Sequence, residues 1–184
     1  MDSKYLAVIF PGIGYHKDKP LLYYASKLLL QQGYDLMFVD YPEMPKNIKG
    51  DAAKMQEAAE LAYAKAESML RWIDYGKYQK KVFVGKSIGT VVMSKYIQEH
   101  HLSPKQIWYT PVEATFAFPA DKVIAFLGDA DPWSDVELLK RKAEELHIPL
   151  YSYPNCNHSL ETDDVDKNLE IIRDVMQKTA EFVK

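Results

Sequence analysis

Six short apolar runs, separated by longer segments with a helical pattern, constrain the fold more than any other feature of this sequence. The predicted strands cover residues 5–10, 35–41, 81–85, 106–109, 122–128 and 149–153. Most of these runs are apolar at nearly every position, which is typical of strands covered on both faces. Strands that alternate with helices predict the α/β class, as a three-layer α/β/α sandwich around a mostly parallel sheet of about six strands.

Five helices are predicted from the segments that separate and follow these strands. Pro20 suits the first turn of the first helix, and Gly33 suits its stop. The five helices cover residues 20–32, 51–74, from just after Ser87 to about 100, 134–146 and 162–182. Two of them carry an apolar stripe, formed by Met55, Ala59, Ala62, Ala66, Met69 and Ile73 in the second helix and by Val165, Leu169, Ile172 and Met176 in the last. Each stripe predicts a face that packs on the sheet.

Composition narrows the class of protein. The 184 residues are 47% apolar and 27% charged, with no repeat or linker, so we expect one domain over residues 1–184. A net charge of −3 gives no reason to expect nucleic acid or an anionic membrane as a partner. No apolar run is long enough for a signal peptide or a membrane span. The single Cys156 rules out an internal disulfide, and we expect a cytoplasmic protein of undetermined oligomeric state.

The stretch VFVGKSIGTVV, residues 82–92, places a serine between two glycines where a strand gives way to a helix. Such a turn forces its central residue, Ser87, into a strained and exposed conformation. Gly85 and Gly89 leave room for the close approach of strand and helix. The backbone N–H of Ile88 then lies at a helix N-terminus, where developing negative charge is favoured.

Two further loops carry chemistry at the same edge of the sheet, because the carboxyl ends of parallel strands lie together. GDADPW, residues 128–133, follows the fifth strand, and PNCNHSLE, residues 154–161, follows the sixth. With Ser87 they supply a serine, a carboxylate and a histidine in that chain order. The carboxylate is Asp131 or its rival Asp129, and the histidine is His158.

This arrangement resembles the α/β-hydrolase family. Residues 85–89 match its G-x-S-x-G nucleophile elbow, Asp131 matches the family acid directly before Pro132, and His158 matches the base after the final strand. The resemblance covers nearly the whole chain. It implies Ser87, Asp131 and His158 as the catalytic residues and the strand order 2-1-3-4-5-6.

The chain is smaller than typical members of that family. By comparison with that family we expect the elements that usually precede the first strand to be missing, and the connection 110–121, where many members insert a lid, is short. We therefore expect a minimal fold without a lid. The resemblance also implies a second oxyanion donor in the loop Pro11–Tyr15, by position the N–H of Ile13, with the register open by one residue.

Several other residues fall on loops at the predicted active edge. The aromatic residues Tyr15, Phe116, Phe118 and Trp133 line a substrate pocket or fill the core, since aromatics do both. His16 is a further candidate for substrate contact. We expect Lys86 to point away from the nucleophile, with a solvated or salt-bridged side chain.

The predicted function is a serine hydrolase, a small carboxylesterase that acts on a small-molecule acyl ester. Thioester, amide and lactone hydrolases use the same triad, so the substrate stays open. No cofactor is expected, and no spacing of Asp, Glu and His suggests a metal site. One alternative is a catalytically silent protein that kept the fold for binding or as a scaffold. A weaker alternative is a flavodoxin-like binding module, which needs a phosphate-binding turn that PGIGYHKDKP lacks.

Overall fold

The computed structural model describes residues 4–41, 44–45 and 51–184. The strands are β1 (Tyr5–Phe10), β2 (Asp35–Phe38), β3 (Lys80–Lys86), β4 (Lys105–Tyr109), β5 (Val123–Gly128) and β6 (Leu150–Tyr153). The helices are α1 (Pro20–Gln31), α2 (Ala52–Leu70), α3 (Ile88–Glu99), α4 (Val136–Glu145) and α5 (Val165–Val183).

The strands form one six-stranded, all-parallel sheet in the order β2-β1-β3-β4-β5-β6. The predicted class and strand order are therefore confirmed. β3 lies between β1 and β4, and its last residues pair Gly85 with Phe10 and Lys86 with Tyr109. The loops that leave β1, β3, β5 and β6 consequently share one edge of the sheet.

Successive residues of the buried strands point to opposite faces of the sheet, so both faces are apolar. Helices cover each of these faces. Phe83 packs on one side with apolar residues of α2, α3 and α4, such as Val92 and Leu139. Val82 and Val84 pack on the other side, with residues of α1 and α5. Two apolar cores separated by the sheet give the three predicted layers.

The helix α2 is shorter than predicted, since it ends at Leu70 and not near residue 74. The first residues of α5 correct the predicted stripe. Val165 and Leu169 are 70% and 59% exposed, because the buried face of α5 is formed by residues four apart: Ile171, Val175, Thr179 and Val183. At about 100° per residue, Leu169 lies roughly opposite Ile171. Apolar character alone did not identify the buried face.

The connection from β4 to β5 carries one short 3-10 helix, Glu113–Ala117. Across residues 4–41, 44–45 and 51–184, no lid domain covers the edge of the sheet, as expected. None of the helices within those ranges is long and apolar enough to cross a membrane.

Candidate active site

Ser87 occupies the turn between β3 and α3 with a backbone φ of 55° and ψ of −125°. This region is unfavourable for a residue with a side chain. Its N–H donates to the carbonyl of Tyr109 at 3.0 Å, and its own carbonyl accepts from the N–H of Thr90 at 2.9 Å. The Oγ1 of Thr90 donates to the same carbonyl at 2.6 Å. These contacts hold the serine in its strained conformation.

Gly89 allows α3 to begin directly against the end of β1. A Cβ at this position would overlap the backbone carbonyl oxygens of Phe10 and Pro11. The second glycine of the motif is therefore required by backbone packing. The first turn of α3, and with it the N–H of Ile88, is fixed close to the loop that follows β1.

His158 joins the serine to a buried carboxylate. Its Nε2 lies 2.8 Å from Ser87 Oγ, and its Nδ1 lies 2.6 Å from Asp131 Oδ2. The Asp131 side chain is wholly buried, and the His158 side chain is only 14% exposed. A neutral imidazole protonated on Nδ1 donates to Asp131 and leaves Nε2 free to accept the hydroxyl proton of Ser87. The geometry is that of a base poised against a nucleophile.

The structure separates Asp131 from its rival Asp129. Asp131 accepts the backbone N–H of Trp133 at 2.8 Å through Oδ1, while Oδ2 faces His158. Asp129 is exposed, and its carboxylate accepts the N–H of Asn155 at 2.5 Å. Asp129 therefore ties together the loops after β5 and β6, and it does not contact the histidine.

Gly128 brings the loop of His158 close to the loop of Asp131. A Cβ on Gly128 would lie 2.6 Å from the carbonyl oxygen of Asn157 and would also overlap the carbonyl of Cys156. The N–H of Ala130 donates to that Cys156 carbonyl at 3.0 Å. No sequence pattern predicts this role of Gly128, because the contact joins two loops that lie far apart in the chain.

A small cleft opens over Ser87, lined among the described residues by Ile13, Met55, Ser87, Ile88, Trp133 and His158. Trp133 stacks on His158 with ring centroids 5.7 Å apart. The N–H groups of Ile13 and Ile88 make no hydrogen bond to the part of the chain that the structure describes. Two free donors thus belong to residues that line the cleft with Ser87.

Comparison with known proteins gives structural relatives only. No protein-family model matches the chain, and no curated protein matches its sequence. Its fold is similar to a serine hydrolase homologue from Coxiella burnetii, with a TM-score of 0.67, 14% identity and coverage of 95% of this chain and 84% of that one. A lidless serine hydrolase from Xanthomonas campestris gives a TM-score of 0.62 at 14% identity, covering 98% and 83%. Est1E from Butyrivibrio proteoclasticus, with ferulic acid bound, gives 0.64 at 12%, covering 97% and 89%.

The chain has the α/β-hydrolase fold. The fold that the resemblance implied is thereby confirmed. At 12% to 14% identity the likeness reaches no further than the fold, so the chemistry has to be argued from the residues of this chain.

The remaining candidates at the active edge of this α/β-hydrolase fold lie in different surroundings. Tyr15 is buried in the core, and its hydroxyl accepts the N–H of Leu21 at 3.1 Å. Phe116 is also buried and packs edge-on against Trp108, with centroids 5.3 Å apart. Both fill the core and do not line the cleft over Ser87.

Phe118 and His16 also lie outside the lining of that cleft. Phe118 is half-buried. The exposed ring of His16 has its Nδ1 3.5 Å from Asp18. Met55 is the lining residue that sequence reasoning missed. Its place in the apolar stripe of α2 predicts core packing. The stripe does not show that the start of α2 lies beside the nucleophile.

Lys86 corrects another expectation, because its side chain is buried and not solvated. The residue is 1% exposed, and its ammonium lies over the ring of Tyr15, 4.8 Å from the centroid. It extends from the face of β3 that also carries Val84, towards the core shared with α1 and α5. Burial lowers the pKa of Lys86 to about 7, against the opposing effect of the carboxylates of Asp131 and Glu161.

His158 is affected by the same surroundings. Burial lowers the pKa of His158 below its ordinary value, the hydrogen bond that its Nδ1–H donates to Asp131 raises it, and the nearby charge of Lys86 lowers it further. The base is therefore neutral at neutral pH, which is the form that accepts a proton.

A second concave region of this α/β-hydrolase fold lies away from the serine and the histidine. A larger groove of about 380 Å³ lies between α1 and α5, lined by Tyr24, Leu28, Ile172, Arg173, Met176, Gln177 and Ala180. It includes neither Ser87 nor His158.

No group of three or more His, Cys, Asp or Glu residues within the described ranges is arranged to hold a metal ion.

Proposed function

We propose that this protein is a serine hydrolase that cleaves a carboxylic ester, or a related acyl bond, of a small substrate. The observation that carries the proposal is the unbroken hydrogen-bonded chain from Ser87 Oγ through His158 to Asp131, at 2.8 Å and 2.6 Å. Its serine end opens on the cleft, and its carboxylate end is wholly buried. A serine that is merely on the surface, or a histidine with only a structural role, has no need of a hydrogen-bonded chain that is open at one end and buried at the other.

The geometry supports a two-stage reaction through an acyl-enzyme. Ser87 Oγ attacks the acyl carbon while His158 Nε2 takes the hydroxyl proton. Asp131 stabilises the imidazolium that forms. His158 then passes the proton to the leaving oxygen as the bond from the acyl carbon to that oxygen breaks.

Water completes the cycle in the second stage. His158 takes a proton from the water as its oxygen attacks the acyl carbon, and it returns that proton to Ser87 Oγ when the acyl–serine bond breaks. The free acid leaves, and the resting state is restored. Est1E, which is similar in fold, binds ferulic acid, a carboxylic acid of the kind that ester cleavage releases.

The tetrahedral intermediates carry negative charge on the former carbonyl oxygen. The N–H groups of Ile13 and Ile88 are the donors available at the cleft, and the N–H of Ile88 lies at the N-terminus of α3. Removing one such donor typically costs on the order of 100-fold to 1,000-fold in kcat. Because both donors are backbone groups, their positions depend on the loop after β1 and on the start of α3.

The proposal is tested by covalent labelling and hydrolysis together. A fluorophosphonate probe should label the wild-type protein, and Ser87→Ala should abolish both labelling and hydrolysis of p-nitrophenyl butyrate. Ser152→Ala, which alters an exposed serine of β6, should keep both. His158→Ala should lose hydrolysis, whereas His147→Ala should retain it. A wild-type protein that is folded but neither labelled nor active is a silent binding protein, and the proposal is then wrong.

Cytoplasmic location, expected from the single cysteine, stays a prediction.

A further inference from the structure

The turn that carries His158, residues 157–161, is closed by hydrogen bonds of one residue, Asn157. The N–H of Asn157 donates to the carbonyl of Glu161 at 2.9 Å, and its carbonyl accepts the N–H of Leu160 at 3.0 Å. Its side-chain oxygen Oδ1 accepts the N–H of Ser159 at 2.7 Å and that of Glu161 at 3.3 Å. Both the backbone and the side chain of Asn157 therefore hold the turn in which His158 is the next residue.

This turn contains a strained residue, Leu160. Its backbone φ is 59°, in the left-handed region that disfavours residues with a side chain, and its side chain is buried. Such a conformation persists only where the surrounding contacts impose it, and it is concentrated at functional sites. The peptide groups on either side of Leu160 both donate to Asn157, one to its carbonyl and the other to its side chain. Asn157 thus imposes the strained turn.

Asn157 is also the point where the loop of His158 packs against the loop of Asp131. A Cβ on Gly128 would lie 2.6 Å from the carbonyl oxygen of Asn157, so the two backbones are in close contact there. From this contact His158 reaches Asp131 at 2.6 Å and Ser87 at 2.8 Å. A shift of the turn changes both distances together, and catalytic rates are sensitive to small displacements of this kind.

We propose that Asn157 is a positioning residue for the base: its side-chain oxygen holds the turn 157–161 and thereby sets the imidazole of His158 between Ser87 and Asp131. The proposal rests on the proposed function only in treating His158 as a base. Asn157 is exposed and is not among the residues that line the cleft, so it acts through His158 and not on the substrate.

The amide oxygen of Asn157 is the atom on which this role depends. Its amide nitrogen makes no hydrogen bond to the part of the chain that the structure describes. An aspartate at this position keeps an acceptor oxygen at the same distance from the backbone, whereas an alanine loses it. Asn157→Asp is therefore the conservative variant that should rescue what Asn157→Ala loses.

The test is the proton NMR signal of the His158 Nδ1–H, which a short hydrogen bond to a buried carboxylate moves far downfield. The signal is assigned by its loss in His158→Ala. In Asn157→Ala it should disappear or move upfield, because the hydrogen bond to Asp131 lengthens, and in Asn157→Asp it should stay in place. An unchanged signal in Asn157→Ala overturns the proposal.

Ser159→Ala is the matched control. Ser159 is the neighbour of His158 on the other side, and the substitution leaves its backbone N–H free to donate to Asn157. Both the downfield signal and the hydrolysis of p-nitrophenyl butyrate should stay as in the wild type.

Kinetics give a second readout. At alkaline pH, where His158 is neutral in every variant, Asn157→Ala should lower kcat by about tenfold, as expected for one or two lost hydrogen bonds, with KM unchanged. Asn157→Asp should restore kcat. A merely structural role would lower the urea midpoint of unfolding and leave both kcat and the downfield signal of the folded protein unchanged, and that outcome overturns the proposal.

If Asn157→Ala does not fold, Asn157→Gln answers the same question, because it keeps the amide but places it one methylene too far out to close the turn. Loss of the signal and of kcat in Asn157→Gln supports the proposal, and wild-type values of both overturn it. A signal that depends on Asn157 in a protein without hydrolysis supports this inference and rejects the proposed function. Hydrolysis that is indifferent to Asn157→Ala rejects the inference and leaves the proposed function intact.

Discussion

The two carboxylate oxygens of Asp131 have different partners: Oδ2 lies 2.6 Å from His158 Nδ1, and Oδ1 accepts the N–H of Trp133. This pairing fixes which imidazole nitrogen carries the proton. In Asp131→Asn the amide oxygen has to accept the N–H of Trp133, so the NH₂ faces His158 Nδ1 and the tautomer that accepts from Ser87 is lost. We expect kcat to fall by about 10³-fold to 10⁴-fold, measured with p-nitrophenyl butyrate.

Asp129→Asn is the matched control for that variant. Its amide oxygen can still accept the N–H of Asn155, so the loop geometry is preserved. Most of the activity should remain. If the two substitutions cost the same, Asp131 is not the group that orients His158.

The strained backbone at Ser87 positions the nucleophile and, we predict, lowers the stability of the folded protein. A φ of 55° with a ψ of −125° suits glycine and penalises any side chain. Ser87→Gly and Ser87→Ala both remove the nucleophile, but only glycine relieves the strain. In urea unfolding, Ser87→Gly should be more stable than Ser87→Ala by about 1 kcal/mol, after the entropic cost of glycine. An alanine variant at least as stable as the glycine variant would show that the turn is not strained.

The close packing at Gly128 predicts that a larger residue there displaces the loop of His158 and lowers both stability and activity. In Gly128→Ala the new methyl group meets the carbonyl oxygens of Cys156 and Asn157, so this loop must move away from Asp131. We expect a loss of about 1–3 kcal/mol in the free energy of unfolding, together with reduced kcat. Gly76→Ala is the control, since its methyl group would meet only the Asp74 side chain at 3.3 Å. Full activity in Gly128→Ala would contradict this account.

Lys86 makes stability depend on pH. The pKa of Lys86 is about 7 in the folded protein, below the ordinary value of about 10.4 in the unfolded chain. Between these values the unfolded state binds more protons, so stability rises with pH across this window and the cost is fully present below it. The free energy of unfolding of the wild type, relative to Lys86→Met, should therefore increase from pH 7 to pH 10. Parallel stability curves for the two proteins would show that Lys86 titrates normally.

The sequence predicted well those features that depend on local patterns. Apolar runs and helical stripes identify the elements of the sheet, and the motif at 85–89 places Ser87 at the turn between β3 and α3. The strand order and the pairing of Asp131 with His158 needed the family resemblance, because neither follows from spacing along the chain.

The features that were missed depend on contacts between distant segments. A lysine at a strand end is usually solvated, so the burial of Lys86 could not be predicted from its neighbours in sequence. Thr179 is buried in α5 because its hydroxyl meets that of Tyr109 at 2.9 Å. The apolar stripe of the last helix assigned Leu169 to the core, and the structure leaves it exposed.

The lining of the cleft bears on the size of the acyl group. Ile13, Met55, Ile88 and Trp133 give apolar walls directly beside Ser87, and the connection from β4 to β5 adds no lid in the residues that the structure describes. Each buried methylene contributes about 0.8 kcal/mol, or roughly fourfold in kcat/KM, but only where a wall covers it. The gain should therefore stop once the acyl chain passes these residues.

We accordingly expect kcat/KM to rise from p-nitrophenyl acetate to butyrate and to fall off for octanoate and palmitate, with a preference for about two to six carbons. The rate should show no jump above the micellar concentration of the substrate, because no lid has to open. Met55→Ala should reduce the gain from acetate to butyrate, since it removes one of the walls, while Met69→Ala, in the same helix but outside the cleft, should preserve it. A rate that climbs steadily to palmitate would mean that these walls continue into a long acyl channel.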